Sequence, residues 1–348
     1  MVPGYYLLKW PYTGFWKLAQ WFSSPRPVVV YATHPLDIVV LKPVLKYLPP
    51  IPVLPRNRKT KCYATRVGFS CISHPAFPKA VLMARHSGHL FPCPDIIRIG
   101  FRHGAYSFKA FAKPEYYNLF HVFFMTSEAE VEKAKAAGIR NAKAIGFPKL
   151  DPAFDGTWNE KTLAPYRQSL GLDREKPTVI FTATWDRSGM SAIDQWIGLL
   201  PELSKTYHIL VTVHPWMSFR YVRILQKMRE IHFIQDPDIL PYLLLSDCLV
   251  GDTSSIIAEF CALDKPIVTF RVPPGPRSLP EIEQLLEEIS IRIDRSLELG
   301  NAIQHALDSP DEKRHFRQKA ALKMFGPLDG KAGLRAGEII REWLPELS

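Results

Sequence analysis

The sequence predicts an α/β protein of two successive Rossmann-like domains facing a cleft. Three observations carry that expectation. Short apolar runs of parallel-strand character alternate with helical stretches along most of the chain. The alternation is interrupted once, by a polar span at 151–176 broken by Pro, Gly and Asn. Polar, ligand-like residues stand directly after strands in both halves, at the edge where open α/β sheets bind ligands.

The first series opens with an arm, 1–27, in which Tyr5, Tyr6, Trp10, Tyr12, Phe15, Trp16, Trp21 and Phe22 interleave with Lys9, Lys17 and Arg26 and no acid. That mixture suits the headgroup region of an anionic bilayer. It equally suits a terminal arm packing its rings on the domain body or on a second subunit. A strand at 28–32 follows, then His34-Pro35, a helix at 37–47, a proline-rich passage at 49–55 and a basic run at 56–61. Further strands are expected at 80–84, 95–101, 122–125 and 142–145, with a helix at 126–137 opened by a capping box of Ser127 and Glu130.

The span 156–176 reads as the inter-domain linker, with one helical piece near 163–170. The second series then runs through strands at 178–183, 208–213 and 231–234 and helices at 192–200, 219–230 and 239–245. Its centre is 246–270, where Cys248-Leu249-Val250 ends at Gly251-Asp252. Thr253 or Ser254 can cap a helix carrying Ile256, Ile257, Phe260 and Leu263, and 267–270 is the next strand. Helices at 281–288, 297–307 and 334–344 complete the chain. The expected domains are therefore 28–155 and 177–328, with 329–348 as a terminal helix.

Composition bounds the function. A chain of 348 residues suffices for two domains, and 47% apolar with 22% charged residues describes a globular protein. The formal net charge of +10 implies an anionic partner: a nucleotide, a phosphorylated polymer or a membrane surface. Nucleic acid is not expected, since there is no zinc-finger spacing, RNP-like strand or dense Lys/Arg block. The cysteines (Cys62, Cys71, Cys93, Cys248 and Cys261) form no CxxC pair and read as reduced, which points to the cytosol. No apolar run is long enough to span a membrane, and the N-terminus lacks a signal peptide's pattern.

Chemistry is expected at the strand ends. His103-Gly104 follows a strand, so the imidazole stands at the ligand edge as a candidate general base, with Arg102 and Lys109 beside it for phosphate or acceptor charge. His214-Pro215 ends the equivalent strand of the second half. Thr182, Thr184 and Arg187 follow that half's first strand and face the same crevice, Thr184 and Arg187 as candidate donor contacts; Arg187 can clamp a phosphate, or pair with Asp186 in an ordinary surface salt bridge. Gly251-Asp252-Thr253-Ser254-Ser255 at a helix N-terminus is a good anion site, or simply a capped helix in a βαβ unit. Glu259 can reach a ligand hydroxyl or lie on a solvated helix face. No GxxxxGK[ST], HExxH, metal-spaced Cys/His cluster or GxSxG elbow occurs, so no metal or other cofactor is called for.

In order and spacing these segments resemble the CDP-glycerol glycerophosphotransferases, enzymes that prime and polymerise teichoic acids. The carrying residues are Arg102-His103-Gly104 with Lys109, Gly146-Phe147-Pro148 with Asp151, and Thr182-Ala183-Thr184-Trp185. To these add His214-Pro215, Asp252-Thr253-Ser254-Ser255 with Glu259 and Lys265-Pro266, and Asp329-Gly330. The resemblance covers roughly 95–340. It implies a GT-B-like fold, a CDP-polyol donor bound by the C-terminal domain, and a cytoplasmic protein held peripherally at the membrane's inner face. It also implies His103 as base, His214 as second histidine, and Asp252, Ser254 and Ser255 as donor contacts. Two positions depart from the family pattern: the arginine after Thr-Trp stands one place later, at Arg187, and the helix acid is Glu259 instead of aspartate.

The reading is a transferase moving a polyol phosphate, glycerol phosphate foremost, from a CDP-linked donor to a hydroxyl of a lipid-linked saccharide or polyol-phosphate polymer. A glycosyltransferase of the same fold and a non-catalytic phosphopolymer-binding protein are the alternatives.

Overall fold

A computed structural model describes residues 2–19, 27–104, 108, 110–275 and 278–347. The chain forms two compact units. One comprises Met1–His103, Phe111–Pro152 and Gly326–Ser348, the other Gly104–Ala110 and Ala153–Phe325.

The first unit holds β1 (Val28–Ala32), β2 (Val53–Pro55), β3 (Ala80–Met83), β4 (Ile97–Phe101), β5 (Val122–Met125) and β6 (Ala142–Ala144). They form one parallel sheet ordered β2-β1-β3-β4-β5-β6. The second unit holds β7 (Thr178–Ala183), β8 (His208–Val213), β9 (His232–Phe233), β10 (Cys248–Gly251), β11 (Ile267–Phe270) and β12 (Ile291–Ile293). Its parallel sheet is ordered β12-β11-β10-β7-β8-β9. Strand order reverses between β1 and β3 in one sheet and between β7 and β10 in the other. Such switch points open a crevice beyond the carboxyl ends of the strands.

The central strands are mostly apolar and buried because helices cover both faces of a parallel sheet, whereas the edge strands β6, β9 and β12 carry Lys143, His232 and Arg292. One core gathers Val29, Tyr31, Val81, Met83, Phe123 and Met125, the other Val179, Phe181, Val211, Val250, Val268 and Phe270. Gly100 in β4 is required by packing: a Cβ there would lie 2.3 Å from the Phe123 ring.

Several expectations need correction. The passage read as proline-rich and basic contains β2 and the helix Arg58–Arg66. Three residues make a strand here because β1 supplies the pairing, Val30 to Val53 and Ala32 to Pro55, and Asn57 caps the helix by accepting from Thr60 N at 2.9 Å. The span 156–176 is no free linker. Its helix Glu160–Ser169 belongs to the second unit, where the Tyr166 ring meets Tyr242 at 5.7 Å. The terminal helix Ala332–Trp343 returns to the first unit. There the buried Asp151 carboxylate accepts from Ala332 N (3.1 Å) and Gly333 N (2.6 Å), holding two of the helix's otherwise unpaired donors. A Cβ on Gly333 would lie 2.5 Å from Pro43 O in the helix Pro35–Leu45, so only glycine permits this approach.

The arm is a helix, Pro3–Ala19. Its Tyr5 and Trp16 are buried, and the Trp16 indole donates to Pro78 O at 2.9 Å. The body-packing alternative therefore holds for that face. Leu7, Trp10 and Phe15 on the same helix are 80, 76 and 64% exposed. Trp21, Phe22 and Arg26 lie outside the described residues. Among the described residues no helix is long and apolar enough to cross a membrane.

Candidate active site

In the second unit the switch point is built around Asp252, at the end of β10. Its buried carboxylate accepts from Thr184 N (2.9 Å), Thr184 Oγ1 (2.8 Å), Ala192 N (3.2 Å) and Thr253 N. Burial pushes its pKa up and the Thr184 donors oppose that. A carboxylate meeting only donors is acting as the anion. Asp252 is thus committed to fastening the end of β10 to the end of β7. The direct donor contact expected of it is replaced by a positioning role.

The turn that Asp252 shapes presents Thr253, Ser254 and Ser255, all half-buried. The helix after it, Ile256–Ala262, starts later than expected, with Ser255 as N-cap and no side-chain cap. Ser254 Oγ meets Ile256 N only at 3.4 Å. The hydroxyls of Thr253 and of Thr182 in β7 are buried without a hydrogen-bond partner, so the turn is richer in unspent polar groups than a capped helix would be. Gly104, covalently next to His103, belongs to this same unit, and a Cβ on it would stand 3.6 Å from Ser255 Oγ. Glu259 is buried, 3% exposed, and has an interaction partner, so it is not on a solvated face.

His214 follows β8 and is half-buried. Its Nδ1 accepts from Trp216 N at 3.1 Å, so the neutral ring carries its proton on Nε2. Trp216, 69% exposed, packs edge-on to both His214 and Trp185. Of the two readings of Asp186, pairing with Arg187 is not realised. Asp186 accepts from Ser218 N at 2.9 Å, and Arg187 is exposed with no ion pair among the described residues.

In the first unit His103 and Gly104 follow β4 and are half-buried. Arg102 is not available as expected. Its Nε lies 3.2 Å from buried Glu130, which also accepts from Thr126 N and Oγ1, and its guanidinium covers the Phe111 ring. Lys109 lies outside the described residues.

The first sheet's switch point brings together residues that the sequence did not single out. Asp37, buried, accepts from Thr33 N (2.8 Å), Thr33 Oγ1 (2.9 Å), His34 N (3.0 Å) and Arg85 Nε (2.8 Å). His34 Nδ1 accepts from Leu36 N at 3.2 Å, leaving Nε2 as its donor. Burial, then Arg85, holds the His34 pKa below the ordinary imidazole value, so the ring is neutral. A usable signal was present, since His34-Pro35 repeats the His-Pro pair that follows β8.

Residues 113–273, a little under half of the chain, match the family model CDP-Glycerol:Poly(glycerophosphate) glycerophosphotransferase. A teichoic acid poly(glycerol phosphate) polymerase of Bacillus spizizenii is 26% identical over 136 residues, 37% of this chain. That stretch spans only 34% of the polymerase's length. The wall teichoic acid polymerase TagF, in a variant soaked with CDPG, superposes with a TM-score of 0.74 at 16% identity, covering 96% of this chain and 93% of that one. The fold is GT-B-like. A UDP-GlcNAc 2-epimerase of Neisseria meningitidis bound to UDP-GlcNAc also superposes, with a TM-score of 0.61 at 15% identity, covering 92 and 99% of the two chains. At such identities the likeness is one of fold, two α/β Rossmann-like domains each with a parallel sheet.

Proposed function

We propose that the protein transfers a polyol phosphate, glycerol phosphate foremost, from a CDP-linked donor to a hydroxyl on a lipid-linked or polymeric acceptor. The observation carrying this reading is that Thr184, Arg187, His214 and the 252–255 turn all lie within the matched stretch 113–273 and follow neighbouring strands β7, β8 and β10. An imidazole, an exposed guanidinium without an ion pair among the described residues and the unspent Thr253 hydroxyl are what a diphosphate needs. The exposed Trp216 beside them offers a ring for a base to stack on.

His103 takes the proton as the acceptor hydroxyl attacks the β-phosphorus. The new P–O bond forms in line as the bond to the bridging oxygen breaks, and CMP leaves with the electron pair. His214, Arg187 and Thr253–Ser255 balance the charge on the phosphates. Asp252 and Thr184 hold the turn in position. Incubation with CDP-glycerol and an acceptor should release CMP, and His103→Ala should lower turnover about 10²–10⁴-fold, the usual worth of a general base. Equal turnover by wild type and variant removes His103 from that role.

The likeness in fold to an epimerase bound to a nucleotide sugar supports a second reading, glycosyl transfer using the same phosphate contacts. It predicts release of a nucleoside diphosphate in place of CMP. If neither product forms with any donor, a non-catalytic phosphopolymer-binding role remains. For localisation we propose the inner face of the cell membrane, with Leu7, Trp10 and Phe15 against the bilayer and Lys9 and Lys17 at anionic headgroups. Leu7→Ser with Trp10→Ser should weaken sedimentation with phosphatidylglycerol vesicles, and unaltered binding would dismiss the contact.

A further inference from the structure

The first unit contains a cavity of about 420 Å³ beneath the N-terminal helix, within the size range of small-ligand sites. Tyr12 and Phe15 of that helix form one wall, and Phe77, Leu90 and Phe91 form much of the remainder. Its polar groups are few. Arg56, directly after β2, lines it with an exposed guanidinium that makes no ion pair among the described residues. Tyr31, only 5% exposed, lines it too, and its hydroxyl has no hydrogen-bond partner among the described residues. The His74 ring stands edge-on to Tyr31 at 6.4 Å.

A phenol hydroxyl open to the slot and a free guanidinium whose charge acts on it, in an otherwise aromatic and aliphatic lining, match an amphiphile with a small anionic head. A peptide does not fit, because its backbone groups would need partners inside the slot. The Ala76 carbonyl at its wall already accepts from the Tyr12 hydroxyl. We propose that this cavity binds a single-chain lipid phosphate, the head held by Arg56 and Tyr31 and the chain lying along Tyr12, Phe15, Phe77 and Phe91. The chain then leaves the slot past Phe15, which also belongs to the helix's exposed apolar face. The site is independent of the transferase reading, and its test needs no donor and no turnover.

Dodecyl phosphate below its micellar concentration, titrated calorimetrically into the full-length protein without vesicles, should bind saturably at one site per chain. Inorganic phosphate and dodecanol, each lacking one half of the ligand, should bind at least tenfold more weakly. Arg56→Gln should weaken dodecyl phosphate about tenfold, the worth of a lost charge-assisted hydrogen bond, while leaving dodecanol unchanged. Leu90→Asp, at a partly exposed rim position that folding tolerates, should weaken dodecyl phosphate and dodecanol alike. The proposal is overturned by non-saturable uptake, by inorganic phosphate binding as well as the amphiphile, or by an Arg56→Gln protein that binds like wild type.

Discussion

The two switch points solve the same problem by different means. In the first sheet Asp37 fastens the end of β1 through Thr33 and His34, residues four and three positions away, and among the described residues reaches across the sheet only through Arg85. In the second, Asp252 fastens the end of β10 to Thr184 and Ala192, 68 and 60 residues away. Both sheets carry a His-Pro turn after a strand whose histidine has Nδ1 occupied by a backbone N–H two residues on. A locally closed network leaves its edge intact whatever the rest of the sheet does. A network closed across two strands ties the shape of the 252–255 turn to correct pairing of β7 with β10. Chemistry that needs hydroxyls and amides held to a fraction of an ångström benefits from the second arrangement.

That difference can be broken at several points. The largest effect is expected from the histidines. If the donor phosphates are bound at the second switch point, His214→Ala should lower kcat about 10²–10³-fold, as loss of one oxyanion donor does. His34→Ala, at the switch point outside the matched stretch 113–273, should lower kcat less. Equal effects on kcat, measured by CMP release, would erase the functional distinction between the two switch points.

Next come the acids. Asp252→Ala leaves several buried donors without an acceptor and should cost roughly 3 kcal/mol of stability, whereas Asp37→Ala should cost roughly 2 kcal/mol because Thr33 and Arg85 can regain water. Urea denaturation of both variants checks the order. The hydroxyls are smaller. Thr184→Val and Thr33→Val should each cost about 1 kcal/mol, but only Thr184→Val should also lower transfer, through the displaced turn.

The smallest effect is in pH. His34, His121 and His232 are each held below the ordinary imidazole value of 6.5, burial being the largest cause. The unfolded chain therefore takes up protons that the folded one refuses. Stability is full above about pH 6.5 and is lost as pH falls from there toward the folded values. His34→Asn, which keeps an acceptor for Leu36 N, should flatten that limb slightly in urea midpoints measured from pH 7.5 to 5.5. A steeper limb would reverse the assigned sign.

Much of this was legible in the chain. Apolar runs such as VVVYA, TVIFTA and CLVG announce buried parallel strands without help from any partner. The His-Gly, His-Pro and Asp-Thr-Ser-Ser segments were visible as strand-end chemistry. The role of Asp252 was not, because its partners Thr184 and Ala192 are remote in sequence. Nor was the commitment of Arg102 to Glu130. Charge alone does not reveal whether a cation is already paired. Asp151 and Asp329 resembled site motifs but serve the terminal helix, Asp151 by capping it and Asp329 through Arg335 at 2.8 Å. β2 escaped because three residues carry no periodicity of their own.

The sequence by itself determined the α/β class, most of the elements and which residues stand at strand ends, since these follow from hydrophobic period and turn chemistry over short windows. Strand order was left to the tertiary structure, and with it the two switch points, the partners of every buried acid and the slot beneath the N-terminal helix. Pairing of parallel strands is non-local, so which strand ends become neighbours is settled only when the sheet assembles.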